Sequence, residues 1–150
     1  QCPQGDTLHI SPWLRAGFSD IELPWLNIHD LHRILKANGY SPPPDHVIIS
    51  GRFINQADAQ NPSFVTPVGC ASIHSTFPTV YLDHSHVPST ILTQSHPYSG
   101  MFYMIVPPNT PIVFNVISGD ALSPISIPPQ PPSRVVQIDI PVLAVPCPAP

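Results

Sequence analysis

Ser99-Gly100-Met101-Phe102-Tyr103-Met104-Ile105-Val106-Pro107-Pro108, followed by Ile112-Val113-Phe114-Asn115-Val116-Ile117, is the stretch whose reading decides the fold. Residues 101–106 are apolar on both faces of a strand, so they need cover on both sides, which a helix or a partner subunit can supply. The second segment is rich in β-branched residues and begins after a turn of three prolines. Working outward, further strands are expected at 47–53, 64–68, 71–82 with a break at Pro78, 89–94, 122–127, and 135–145 with a break at Pro141. Many short strands punctuated by Pro and Gly predict a mainly β fold, an antiparallel β-sandwich or partly open barrel.

One segment departs from this pattern. Leu23, Leu26, Ile28, Leu31, Ile34 and Leu35 recur at helical spacing, Ser19 or Asp20 can cap, and Asn38-Gly39 is a stop signal, which predicts a helix over about 20–38. The expected organisation is a single domain over 1–150, with an N-terminal extension 1–46 carrying this helical segment and a β core 47–145.

Composition narrows the class of function. Only five residues are Lys or Arg, and charged residues make up 9% of the chain. Ordinary soluble proteins carry roughly 25%. Phosphate neutralisation requires clustered basic residues, so no nucleic-acid partner is expected. So few charges also leave a surface that must be covered by neutral polar groups, proline or copies of the chain itself. The 23 prolines cut the chain into stiff extended pieces.

The three cysteines, Cys2, Cys70 and Cys147, allow three pairings. Cys2 with Cys147 is the expected disulfide, because chain ends often lie close together; a bond to a neighbouring subunit is the alternative. Gln1 is consistent with removal of a signal peptide, and no apolar run reaches membrane-spanning length. A secreted product, extracellular or at the cell surface, is the resulting expectation.

Gly51-Arg52-Phe53, the run from Ser99 to Pro108 and Ile112-Val113-Phe114-Asn115-Val116 together resemble the carboxypeptidase regulatory-like, prealbumin-like β-sandwich over roughly residues 47–118. In that family a strand opens on glycine, and a later Gly-x-Phe-x-Phe-like strand leads through a proline turn into a strand of alternating apolar residues. Asn109-Thr110-Pro111 stands where the family has a second glycine and tyrosine. The resemblance implies a non-catalytic module of a secreted protein.

Chemistry concentrates in the histidines. In an extended strand, His84 and His86 of Asp83-His84-Ser85-His86 point to one face with Cα atoms about 6.5–7 Å apart, close enough to share zinc or copper, with His96 or His74 as a third ligand. The alternative is solvated or hydrogen-bonded side chains. His29 and His32 share a helix face beside the apolar stripe, without the His-Glu-x-x-His pattern of a metalloprotease. Cys70 is a possible thiol nucleophile, although core or disulfide is the usual fate of such a residue. Neither a Gly-x-Ser-x-Gly elbow nor a glycine-rich phosphate loop occurs.

Trp13, Tyr40 and Tyr98 are candidates for stacking on a glycan. The expected function is thus a structural or adhesive β module that self-associates, with another secreted surface protein as a further possible partner. A glycan-binding module and a histidine-coordinated metal-dependent enzyme are the alternatives. In Arg134-Val135-Val136-Gln137-Ile138-Asp139-Ile140, alternation predicts one buried face, and the apolar residues 142–145 either fold back or pair with a neighbour.

Overall fold

The computed structural model describes residues 28–58 and 66–147, and the backbone of 7–10. Among the described residues the strands and the α-helix follow in the order β1 (Thr7–Ile10), α1 (Ile28–Ala37), β2 (Val47–Asn55), β3 (Ala71–His74), β4 (Thr79–Tyr81), β5 (Met101–Val106), β6 (Ile112–Ser118), β7 (Ala121–Ile127) and β8 (Val135–Val142), with a short 3-10 helix, Gln56–Asp58, after β2. They form a five-stranded sheet, β1-β8-β2-β5-β4, packed on a three-stranded sheet, β3-β6-β7. The architecture is a β-sandwich with one short helix, as the strand pattern predicts.

The sandwich is not wholly antiparallel. β8 runs parallel to β2, with Ile49 opposite Val136 and Phe53 opposite Ile140, and parallel to β1. β1 itself is a strand that the sequence reading did not anticipate. The remaining ladders, β2·β5, β4·β5, β3·β6 and β6·β7, are antiparallel.

Period-two alternation builds the core. Val47, Ile49 and Phe53 of β2, Phe102, Met104 and Val106 of β5, and Val136, Ile138 and Ile140 of β8 face Ile112, Phe114, Val116, Ile125 and Ile127 of the smaller sheet. The opposite face of the large sheet presents Ile48, Tyr103, Ile105 and Val135, which Ile28, Leu31 and Leu35 of α1 cover. The helix therefore supplies the second cover that Met101–Val106 requires; burial under it pushes the Tyr103 hydroxyl up to about 12.

The helix ends in a Schellman motif. The Tyr40 and Gly39 amides donate to the Leu35 and Lys36 carbonyls at 2.9 and 3.2 Å, and Gly39 adopts a φ of 92° that favours glycine. Residues 20–27, where the expected helix would begin, lie outside the described residues. Ile34, expected on its apolar face, is exposed.

Both faces of β8 are buried, in contrast to the expected single face. Gln137 and Asp139 are 6% and 4% exposed, and Asp139 is matched across the register by Arg52. The guanidinium donates twice, from Nε to Oδ1 at 3.1 Å and from Nη2 to Oδ2 at 2.9 Å. A planar bidentate pair supplies the hydrogen bonds that a buried carboxylate needs.

Three strand boundaries differ from expectation. Pro141 does not break β8; the parallel register continues through it to Val142, and β1 pairs only as far as Ile138. Beyond Ile138 one side of β8 is free of β1, which is where a residue without an N–H is tolerated. Residues 89–94 form a loop, because the Ser89 hydroxyl accepts the Ile91 and Leu92 amides and closes a local turn. Of 64–68, residues 66–68 contribute only an isolated bridge between Pro67 and Ile54; 64–65 lie outside the described residues.

Gly51, in the middle of β2, faces Phe102, and any added Cβ would run into that ring. The absence of a side chain lets the Phe102 ring lie over β2, 5.1 Å from the Phe53 ring centroid. Gly51→Ala is expected to cost about 1–3 kcal/mol through overpacking. Urea denaturation checks this, and adding Phe102→Leu should recover part of the loss.

Candidate functional site

Two turns at one end of the large sheet bring ring side chains together. In the first, the Asp83 carboxylate accepts the Ser85 and Val87 amides at 2.8 and 3.1 Å, and the His86 amide donates to the Asp83 carbonyl at 2.9 Å. Residues 83–86 are thus a side-chain-capped turn, with His86 at a φ of 63°, and not the extended strand on which the shared face of His84 and His86 depended. The second turn is closed by Gly100 donating to the His96 carbonyl at 2.8 Å and by the Ser99 hydroxyl donating to the Leu82 carbonyl at 2.8 Å.

The turns place the exposed His84 ring 5.9 Å from the buried His96 ring and Tyr98 5.4 Å beyond it. His96 Nδ1 accepts the Tyr98 amide at 3.1 Å, so the neutral ring carries its proton on Nε2 and presents a donor where a metal ligand needs a lone pair. His74 is exposed on β3, at the register position opposite Asn115. Among the described residues, no three His, Cys, Asp or Glu side chains are grouped to hold a metal ion.

The Asp83 carboxyl is held below its ordinary value of 3.8, chiefly by the Val87 amide; slight desolvation opposes this, while the Ser85 amide and the His84 and His96 rings reinforce it.

The second turn is fixed to β3. Ser95 receives the Cys70 amide on its carbonyl at 2.9 Å and the Ala71 amide on its hydroxyl at 3.0 Å, and its hydroxyl donates to the Val68 carbonyl at 2.7 Å. Cys70 is disulfide-bonded to Cys147, with Cα atoms 5.6 Å apart. This corrects the expected Cys2–Cys147 pairing and removes Cys70 as a thiol nucleophile. The reason is topological: β8 delivers the following residues to the start of β3. Cys2 lies outside the described residues. No spacing rule distinguishes the three pairings, so only the sheet order reveals this one.

The glycan candidates are dispersed. Trp13 lies outside the described residues. Tyr98 is 67% exposed, but the His84, His96 and Tyr98 rings tilt by 43° and 54° from one to the next and form no flat platform. Tyr40 donates to the Ser89 carbonyl at 2.9 Å and lines a separate groove of about 590 Å³ with Phe77, Pro42, Pro43, Pro78 and Pro107.

At the rim of this groove His46 contacts the Asp45 carboxylate through Nδ1 at 2.9 Å. His32, on α1, has a buried Nε2 without a hydrogen-bond partner among the described residues. Burial, then the nearby His29 and His46, lowers its pKa below the ordinary 6.5.

No family model matches this chain, and neither a curated protein nor a solved structure matches it.

Two pH effects follow from these geometries. With a folded pKa below 6.5, His32 favours the fold fully above that value, and the contribution is lost as pH falls through the lower folded value. His32→Gln should therefore flatten the fall in melting temperature on going from neutral to mildly acidic buffer. The Asp83 contribution is complete above 3.8 and disappears below it as the folded carboxyl protonates. Asp83→Asn should weaken only this more acidic part of the melting profile, measured by differential scanning calorimetry.

Proposed function

We propose that this chain is a secreted or cell-surface structural and adhesive β module that acts without catalysis and associates with copies of itself. The observation that carries the reading is the outer face of the three-stranded sheet. On it lie Val113, Asn115 and Ile117 of β6 and Leu122, Pro124 and Ser126 of β7, paired across the register and bearing no charge. Val113 and Leu122 are 60% and 61% exposed. A sheet face of this kind, in a chain with 9% charged residues, suits contact with a second apolar face better than contact with water.

The Cys70–Cys147 cystine supports the extracellular part of the proposal, since such bonds persist in oxidising compartments. Among the described residues no helix is long and apolar enough to cross a membrane. The association surface differs from the terminal strand pairing expected from sequence, because β8 is interior and residues 143–147 fold back to Cys70. A second reading, glycan binding, is favoured by the Tyr40 and Phe77 groove.

Size-exclusion chromatography with light scattering over a concentration series tests the principal reading. The oxidised protein should form dimers or larger species at high micromolar concentration, and Leu122→Lys with Val113→Lys should return it to monomer while lowering the unfolding free energy by no more than about 1 kcal/mol. A monomer at every concentration would overturn self-association.

A further inference from the structure

Residues 143–147 leave the sheet where the β8 ladder stops at Val142 and cross the turn between β6 and β7 on their way to Cys70. The Ser118 hydroxyl donates to the Leu143 carbonyl at 2.9 Å, and Val145 lies against Gly119, where an added Cβ would stand 2.8 Å from its Cγ1. Leu143 is 57% exposed, and Ala144 and Pro146 are also exposed. Beside the start of this crossing lies a cavity of about 200 Å³, lined by Val116 and Ser118 of β6, Ala121 and Ser123 of β7 and Pro141 and Val142 of β8, which Leu143 alone of residues 143–147 reaches.

The far end of the crossing is covalent. Cys147 Sγ approaches Gly69 closely, as does Pro97, and Gln94 donates from Nε2 to Cys70 Sγ at 3.2 Å. Both cysteines are only half-buried, so the cystine is within reach of solvent. One bond thus secures the crossing segment and abuts the turn that carries His96 and Tyr98.

We propose that residues 143–147 form a redox-latched strap, held across the turn between β6 and β7 by the Cys70–Cys147 bond and opened by a dithiol reductant. A thiolate of the reductant attacks one cystine sulfur, breaking the S–S bond and forming a mixed disulfide. Its second thiol then closes on that link, leaving two protein thiols and an oxidised dithiol after transfer of two electrons and two protons. Opening releases the strap from Gly119 and loosens the turn at 94–98. The sandwich itself persists, because none of its ladders passes through the cystine. This goes beyond the adhesive reading and does not depend on it.

The test compares the oxidised protein, the same protein in dithiothreitol, and the double variant Cys70→Ser, Cys147→Ser without reductant. The nuclear Overhauser contact between the Val145 methyls and Gly119 should be present in the first and lost in the other two. Cleavage by chymotrypsin after Leu143 should rise on the order of tenfold or more. Amide exchange at Ser95 and Gly100 should accelerate, the Phe53–Phe102 ring contact should survive, and reoxidation should restore the strap. Persistence of the Val145–Gly119 contact after reduction would overturn the proposal. So would its loss together with the Phe53–Phe102 contact, since the cystine would then be a staple of the whole fold.

Discussion

The structure depends on the insertion of β8 between β1 and β2. Both edges of this strand are paired and both of its faces are covered: Val136, Ile138 and Ile140 enter the core between the sheets, while Val135 lies under α1. Burial of the second face accounts for the pairing of Asp139 with the half-buried Arg52. At Asp139 the outward face of β8 carries a carboxylate, and Arg52 at the partner register position neutralises it with two hydrogen bonds. The insertion of β8 also explains why residues 143–147 emerge beside β3 and meet Cys70.

Local polar chemistry organises what the sheets leave over. Asp83, Ser89, Ser95 and Ser99 each direct a side-chain oxygen to nearby backbone groups, and together they hold the loops between β4 and β5 without regular secondary structure. Asp83 accepts the Ser85 and Val87 amides and His96 Nδ1 accepts the Tyr98 amide, so both turns are braced by their own side chains.

The scarcity of charge distributes these roles. Arg52 and Asp139 pair with each other, as do Arg33 and Asp30 on the exposed side of α1. On the outer face of the three-stranded sheet, where His74 of β3 is exposed, the outward residues of β6 and β7 carry no such groups, and Val113 and Leu122 stand in solvent. Surface adhesion is thus proposed from the same compositional feature that led to the expectation of no nucleic-acid partner.

Hydrophobic periodicity determined much by itself. The two-faced run Met101–Val106, the alternation in β6 and the Gly39 stop after α1 were all legible, because strand pleat, helix pitch and glycine conformation act over a few residues. Parallel pairing of β8 with β1, the continuation of the ladder through Pro141, and the choice of Cys70 for Cys147 were decided only by tertiary structure. Each depends on which segments become neighbours across long sequence separations, 77 residues for the disulfide. The same limit applied to Asp83-His84-Ser85-His86: its residue spacing suits either a strand face or a capped turn, and the Val87 and Ser85 amides, brought onto the Asp83 carboxylate by the reversal of the chain, selected the turn.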